Sequence, residues 1–242
     1  MLPRETDDER RLRKSVATVW RLSVDALREE SVVAAQLFEL CAFLDPECIP
    51  VTLLARLPKA MARSCEWDPA WRGLASMSET DSTAELQRQL AVVHKYSLLE
   101  WVEPDESVGM HRLVQQQARR CAGAVGTAER TMRLLGEVLV EAMPIKGGSV
   151  PHNFAVEMAA AAELMPHAAA LTRHEAEMAP GAAAGWLRVE LHEHFAWVYQ
   201  LRGQLAEAEA GLRRALQMLE KAYADQPNHP DLAATVNNLA GV

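Results

Sequence analysis

The sequence predicts a mainly α-helical fold, and composition and periodicity carry that prediction. The 242 residues include 40 Ala and 30 Leu but only two Ile, and aromatic residues make up 5%. Ala and Leu are strong helix formers, whereas the β-branched and aromatic residues that favour strands are scarce. Apolar residues recur every three or four positions along much of the chain, which is the helical period. These observations exclude a β-sandwich or a β-barrel and argue against a doubly wound α/β sheet.

The net charge and the lengths of the apolar segments limit the classes of function that the protein can have. The formal net charge is −8, whereas domains that bind nucleic acid are usually basic because phosphate contacts supply much of their affinity. The N-terminal segment, residues 1–14, is charged and lacks the apolar core of a secretory signal, and no apolar run reaches the ~20 residues of a membrane span. We therefore expect a cytoplasmic protein with no membrane contact, and the negative charge argues against a nucleic-acid partner.

The cysteine and histidine spacings predict no metal site. Cys41, Cys48, Cys65 and Cys121 form no CxxC pair and lack zinc-finger spacing, so reduced thiols are expected. His192 and His194 are two positions apart, and on a helix they therefore point to different sides and cannot share a metal ion. We predict neither a metal nor a cofactor in this chain.

The first part of the chain predicts a series of helices. Residues 15–44 carry two apolar helical stripes separated by Ser31, a residue type that caps helix N-termini. The pair Asp45-Pro46 ends the second helix, because the residue before proline is driven out of the α region. Further helices are expected at Val51–Leu57 and at Thr83–Tyr96.

A short β-hairpin is predicted after these helices. Ser97–Glu103 is apolar and short, residues 104–107 are typical of a turn, and Val108–His111 follows as the second strand. A further helix is expected at Arg112–Cys121. Helices followed by a two-stranded hairpin predict a winged-helix-like domain spanning residues 15–124.

A helical adaptor is predicted over residues 125–181. Thr127–Met143 is amphipathic, and Asn153–Met178 is rich in Ala, with Pro166 expected to break or bend it. The connecting segments are marked by Pro144, Gly147-Gly148 and Pro180-Gly181.

An internal repeat organises residues 182–242, where a helix pair, Ala182–Leu201 and Leu205–Ala224, precedes a last helix from Pro230. EHFAWV at 193–198 aligns with NNLAGV at 237–242, a spacing of 44 residues. This stretch resembles the tetratricopeptide repeat in its longer, kinesin-light-chain-like form, whose small residues let paired helices approach closely. The resemblance implies one complete repeat, a second that is truncated, and an array that continues beyond this sequence. His192 departs from the family, and the matching positions are Ala196, Tyr199, Gly203, Ala208, Leu212 and Ala215.

The repeat resemblance also implies a ligand groove. In tetratricopeptide arrays the first helix of each pair lines a concave surface, and the matching positions here are Glu190, Glu193, Trp197, Gln200 and Asn237. An amide such as that of Asn237 can both donate to and accept from a peptide backbone, and the two glutamates would favour a basic ligand. The alternative is an ordinary solvated helix face.

The order of elements resembles part of a known signalling class. SVATVWRLSVDALREES, LFELCAFLDPECIPVTLL, LAVVHKYSLLEWV and GMHRLVQ are similar to the winged-helix region of NB-ARC (STAND-class) ATPases, which in bacteria is often followed by a helical adaptor and tetratricopeptide repeats. Met110-His111-Arg112 matches the MHD motif of that family except at Arg112. The resemblance implies that His111 contacts the β-phosphate of ADP in a full-length parent. A structural histidine at a strand–helix junction is the alternative.

These observations predict a non-catalytic regulatory and sensor fragment of an NB-ARC-like nucleotide-dependent switch. No GxxxxGK[ST] P-loop, HExxH or GxSxG motif occurs in the sequence, so ADP or ATP would be held by an upstream nucleotide-binding domain. The repeats would bind a protein or peptide, the winged helix would stabilise the ADP-bound resting state, and activation would permit oligomerisation. The alternatives are a protein-binding tetratricopeptide scaffold without a nucleotide role and a winged-helix DNA-binding regulator.

Overall fold

The computed structural model describes residues 20–102, 106–124, 126–143, 153–177 and 185–242. The predicted N-terminal segment 1–14 lies outside the described residues, as do the predicted turn residues Pro104 and Asp105 and the connecting segments at Pro144, Gly147-Gly148 and Pro180-Gly181. The chain divides into two compact units. The first comprises Met1–Ala42 and Pro46–Ala128, and the second comprises Phe43–Asp45 and Glu129–Val242.

The first unit is mainly helical. Its helix α1 covers residues 20–30, and the helices that follow are α2 (Val32–Cys41), α3 (Val51–Leu54), α4 (Leu57–Ala62), α5 (Ala70–Ala75), α6 (Glu79–Lys95) and α7 (Arg112–Ala124).

Serine side chains define the starts of two of these helices. Ser31 caps α2 as predicted, because its Oγ accepts the backbone N–H of Ala34 at 3.1 Å, and it donates to Gln89 on α6 at 2.6 Å. Helix α6 begins at Glu79, four residues before the predicted Thr83, because the Oγ of Ser78 accepts the N–H of Asp81 at 3.2 Å. Capping by Ser78 was not considered in the sequence analysis, and the helix is one turn longer as a result.

A small three-stranded antiparallel sheet completes the first unit. Strands β2 (Glu100–Val102) and β3 (Ser107–Gly109) form the hairpin that the sequence predicts, with Trp101 opposite Val108. A third strand, β1 (Ile49–Pro50), pairs with the other edge of β3, so the strand order is β1-β3-β2. The sequence analysis missed β1, because two residues that include a proline show no period-2 pattern.

The core of the first unit is built from fully buried residues of α1, α2, α5 and α6. Trp71 is completely buried, and its Nε1 donates to the side-chain oxygen of Gln36 at 2.5 Å. Cys41 is also buried, and burial raises the pKa of its thiol to about 12, whereas Cys48, Cys65 and Cys121 are exposed free thiols. The other large side chains at the centre are Leu27, Leu37, Phe38, Leu40, Leu86 and Leu90.

The second unit contains only helices among its described residues. They are α8 (Ala128–Ala142), which starts at the boundary between the units, α9 (Phe154–Glu177), α10 (Gly185–Leu201), α11 (Leu205–Ala222) and α12 (Pro230–Ala240). Of the two outcomes predicted for Pro166, a break or a bend, the break does not occur, because α9 continues through it. Proline has no backbone N–H, so one carbonyl group in the preceding turn of the helix lacks its usual hydrogen bond. Pro166 lies on the exposed side of α9, where water can hydrate that carbonyl group.

The core of the first unit can be tested by replacing leucine with alanine at one buried position and at one exposed position. Leu90→Ala on α6 removes a side chain with 0% exposure, and we expect it to lower the free energy of unfolding by about 2–5 kcal/mol because a cavity remains. Leu113→Ala on α7 changes a side chain that is 65% exposed, and we expect an effect within about 0.5 kcal/mol. Urea unfolding followed by circular dichroism measures both, and equal effects would contradict this description of the core.

Candidate ligand groove

Helices α10 and α11 form a tightly packed antiparallel pair. Gly203 lies in the turn between them with φ of +71°, a left-handed conformation that glycine adopts without strain. Near the turn, Ala196, Ala208 and Leu212 form a buried cluster, with Tyr199 packed against it. At Gly211 an added Cβ would lie 3.4 Å from the carbonyl oxygen of His192. The two helices therefore approach so closely because small side chains line their contact.

Helix α12 packs against this pair through a second group of apolar residues. Val189, Ala215 and Leu219 form a buried cluster that Tyr223 and Leu232 cover. Leu239 and Val242 pack on the cluster around Ala196, and Thr235 of α12 is fully buried. The three helices thus share one core on one side.

A groove of about 470 Å³ lies among α10, α11 and α12. Its volume is in the range of small-ligand and side-chain binding sites. Every residue that the repeat resemblance assigned to a groove lines it, namely Glu190, Glu193, Trp197, Gln200 and Asn237. The remaining lining residues are His194, Ala196, Leu212, Asn238 and Gly241.

The helical period explains why one helix contributes most of this lining. Glu190, Glu193, Trp197 and Gln200 follow each other at intervals of three and four residues, so they form a single stripe along α10. Asn237 occupies the position of α12 that aligns with Glu193, at the spacing of 44 residues. The groove therefore lies between the α10 stripe and the α12 segment that aligns with it in the sequence.

Glu193 is held in place by a hydroxyl group from α12. The Oγ1 of Thr235 lies 2.6 Å from Oε1 of Glu193 and 3.0 Å from the backbone carbonyl oxygen of Asp231. Both partners are acceptors, so the single hydroxyl proton is shared or donated to one of them at a time. Thr235 is 0% exposed, so its hydroxyl group is held in place and fixes one carboxylate oxygen of Glu193. The other oxygen of that carboxylate remains available to a ligand.

Sequence reasoning did not identify Thr235 as part of the site. In the repeat alignment Thr235 falls on Leu191, a buried residue, so the alignment indicates an inward position but not a hydrogen bond. His194 was also missed, since it was considered only as a metal ligand. Its Nδ1 lies 2.8 Å from the carbonyl oxygen of Glu190. A carbonyl only accepts, so Nδ1 carries the proton, and in the neutral ring Nε2 remains an acceptor.

The side chain of Trp197, which lines the groove, also carries a buried polar atom. Its indole Nε1 is buried and has no acceptor among the described residues. A buried donor without a partner costs roughly 1–3 kcal/mol, and most buried polar groups in folded proteins have a partner. Trp197 is only partly buried as a whole, so part of its ring faces the groove.

The charged side chains that the structure describes in the groove are of one sign. Glu190 and Glu193 are carboxylates, and no Lys or Arg is among the described lining residues. The Glu190 carboxylate forms no hydrogen bond or ion pair with another described residue. The rest of the polar lining consists of neutral amides and the imidazole of His194.

The other predicted site residue, His111, belongs to the first unit. It is exposed at the junction of β3 and α7, where its Nδ1 accepts the backbone N–H of Leu113 at 3.2 Å. The adjacent Met110 is buried, and its N–H donates to the carbonyl oxygen of Pro46 at 2.9 Å. Arg112 forms an exposed ion pair with Glu47 at 3.0 Å. His111 therefore caps the first turn of α7 and is not part of the groove.

Two further findings concern sites that the described residues do not contain. Within the part of the chain that the structure describes, no three or more His, Cys, Asp or Glu side chains are grouped as metal ligands would be. Among the described helices, none combines the length and the apolar character that crossing a membrane requires.

Comparison with known proteins yields one family match. A family model described as "Domain of unknown function (DUF7779)" matches residues 25–122. No curated protein and no solved structure matches the chain. The matched range covers most of the first unit, including His111, together with Phe43–Asp45 of the second unit. The groove among α10, α11 and α12 lies beyond it.

The contact between Thr235 and Glu193 can be measured with a double-mutant cycle. We expect Thr235→Val alone to destabilise α10–α12 by about 1–2 kcal/mol, because it removes a buried hydrogen bond to a charged group. Combined with Glu193→Ala, the two changes should show a coupling energy of about 1 kcal/mol. Native-state hydrogen exchange of the backbone amides of α11 measures the opening free energy of α10–α12 separately from that of the first unit.

The matched control for this cycle is Glu220→Ala, which changes an exposed glutamate on α11. Thr235→Val and Glu220→Ala should be additive within about 0.5 kcal/mol. Additivity in the Glu193 cycle as well would show that the hydroxyl does not bind this carboxylate.

Proposed function

We propose that this chain is a non-catalytic sensor region that captures a protein or peptide ligand in the groove among α10, α11 and α12. One observation carries the proposal. The five residues that the repeat register assigns to a ligand surface line a single concave groove, together with amides that can bind a peptide backbone. An ordinary solvated helix face would consist of α10 residues alone. Here Asn237 and Asn238 of α12 also line the groove, which favours a binding site.

The architecture of α10–α12 supports a tetratricopeptide-type module. The glycine turn at Gly203, the small residues Ala196 and Ala208 at the contact, and the packing of α12 across the pair all match what such repeats require. In this proposal residues 182–242 contribute one complete repeat and the first helix of another. The helices α8 and α9, within 125–181, form the adaptor.

The first unit supports the second part of the proposal, a winged-helix-like domain of an NB-ARC-type switch. Helix α6 leads into the hairpin β2–β3, and β3 leads directly into α7, with His111 at that junction. In the full-length parent, ADP or ATP would bind an upstream nucleotide-binding domain, and His111 would contact ADP. Ligand capture by the repeats would favour the nucleotide-exchanged, oligomeric state. We also propose a cytoplasmic location.

A second candidate function follows from the hydrogen bond of His111. Its Nδ1 already accepts the N–H of Leu113, which is a structural task for a residue that precedes a helix. This observation favours a protein-binding scaffold without a nucleotide role. Both candidates use the groove and differ only in what His111 does.

Ligand capture can be tested with a random nonapeptide library displayed on phage and selected against the 242-residue chain. We expect the enriched peptides to lose about tenfold or more in affinity toward the Gln200→Ala/Asn237→Ala variant, since each tenfold corresponds to about 1.4 kcal/mol. The affinities of synthetic copies are measured by calorimetry.

The matched control is Gln217→Ala/Asn228→Ala, which makes the same chemical changes at exposed positions that do not line the groove. Selected peptides should bind this variant as they bind the unmodified chain. Peptides that bind both variants equally would show that the groove is not the ligand site.

The role of His111 can be separated from its capping role by two substitutions in the full-length parent. His111→Ala removes both the cap and the imidazole, whereas His111→Asn keeps a side-chain acceptor for the helix N-terminus. If His111 senses ADP, both variants should release ADP faster and show higher resting activity. If His111→Asn retains ADP and signals as the unmodified protein does, the scaffold function is favoured.

A further inference from the structure

We infer that the groove among α10, α11 and α12 receives an arginine side chain of the ligand, with its guanidinium group facing Glu190 and Glu193. This inference rests on the proposed function and adds the chemical identity of the group that is recognised. Three features of the lining support it: the charges, the hydrogen-bond acceptors and the aromatic ring.

Among the described residues, no cation pairs with either carboxylate. Glu190 has no polar side-chain partner among the described residues, and the partner that the structure shows for Glu193 is the neutral hydroxyl of Thr235. On α11, Arg213 already pairs with Glu209 at 2.6 Å. Helix α12 contributes no Lys or Arg to the lining, because none occurs between Pro230 and Ala240. Two negative charges in a concave site raise the local concentration of a cationic ligand.

The lining contains several hydrogen-bond acceptors, and a guanidinium group has enough donors to bind several of them. Besides the carboxylates, Gln200 and Asn237, whose amide oxygens are acceptors, line the same groove, as does His194. A guanidinium group has five N–H donors in one plane, whereas an ammonium group has three donors around a point. Arginine can therefore bond acceptors on α10 and α12 at the same time.

The ring of Trp197 supplies the third feature. A guanidinium plane stacks on the face of an indole, and Trp is the most favourable aromatic partner for a cation. Trp197 lies one helical turn beyond Glu193, on the same stripe of α10. An ammonium group can also bind an aromatic face, but it cannot stack.

Part of the site is in position before the ligand arrives. The buried hydroxyl of Thr235 holds Oε1 of Glu193 at 2.6 Å, and the other oxygen of that carboxylate is left for a ligand. Fixing a side chain in advance reduces the entropy that binding must remove. We therefore expect Glu193 to contribute more to arginine recognition than Glu190, whose carboxylate is not held by a described partner.

The test uses nonapeptide pools with one fixed central residue and randomised flanks, titrated into the full 242-residue chain and followed by fluorescence anisotropy. The central residue is arginine, lysine, citrulline, norleucine or glutamate. Citrulline has the shape of arginine without its charge. We expect the arginine pool to bind about tenfold or more tightly than the citrulline pool, more tightly than the lysine pool, and more weakly as the KCl concentration rises.

Substitutions then locate the interaction. Glu190→Gln/Glu193→Gln should abolish the preference for arginine over citrulline, and Glu193→Gln alone should remove most of it. The control, Glu207→Gln/Glu220→Gln, makes the same change of charge at two exposed positions of α11 and should keep the preference. The comparison of pools on the unmodified chain needs no variant, so the inference can be overturned even if a variant does not fold.

The outcomes distinguish the inference from the proposed function. If the citrulline, norleucine or glutamate pool binds as tightly as the arginine pool and this binding is lost in Gln200→Ala/Asn237→Ala, the groove is a ligand site but arginine recognition is wrong. A lysine pool that binds as tightly as the arginine pool would also overturn the arginine assignment. If no pool shows binding that depends on the groove, both the inference and the proposed function are contradicted.

Discussion

The close approach of α10 and α11 at Ala196, Ala208 and Gly211 is the constraint on which the candidate site depends. Because no bulky side chain separates the two helices there, α12 can pack across the pair and bury Thr235. That packing brings Asn237 beside the stripe of α10 that begins at Glu190, and it places the Thr235 hydroxyl on Glu193. Small residues therefore do more than fill a core here, since they determine which polar groups meet at the surface.

The same residues explain how stability and recognition are combined in this module. One side of α10 packs in the shared core, where Val189, Ala196 and Val198 are buried, while the stripe of Glu190, Glu193 and Trp197 lines the groove. The groove holds the Glu190 carboxylate, which has no polar side-chain partner among the described residues. A cationic ligand can pair with this carboxylate, and the pairing contributes to the free energy of binding.

Much of the architecture was accessible from local patterns, and the exceptions have physical causes. Ser31 and Gly203 act through local backbone chemistry, so the sequence alone places a helix start and a turn there. The strand at Ile49 and Pro50 depends on pairing with Val108 and Ser107, far away in the sequence, and a two-residue strand has no periodicity of its own. Pro166 does not end α9, because a proline inside a helix removes one hydrogen bond and the other bonds of the helix can remain. In the groove, the repeat spacing identified the α10 stripe and Asn237, whereas the roles of Thr235 and His194 depend on side-chain geometry that no spacing reveals.

The central claim is that α10 and α12 together form one ligand-binding groove that recognises a cationic side chain. The most direct measurement is nuclear magnetic resonance of the full chain with ¹⁵N-labelled side chains during titration with an arginine-centred peptide. The account predicts that the indole N–H of Trp197 and the side-chain amides of Gln200 and Asn237 shift together and saturate at one stoichiometric equivalent, while the indoles of Trp71 and Trp101 do not move. Shifts confined to the first unit, or no saturable shift at Trp197 and Asn237, would contradict it.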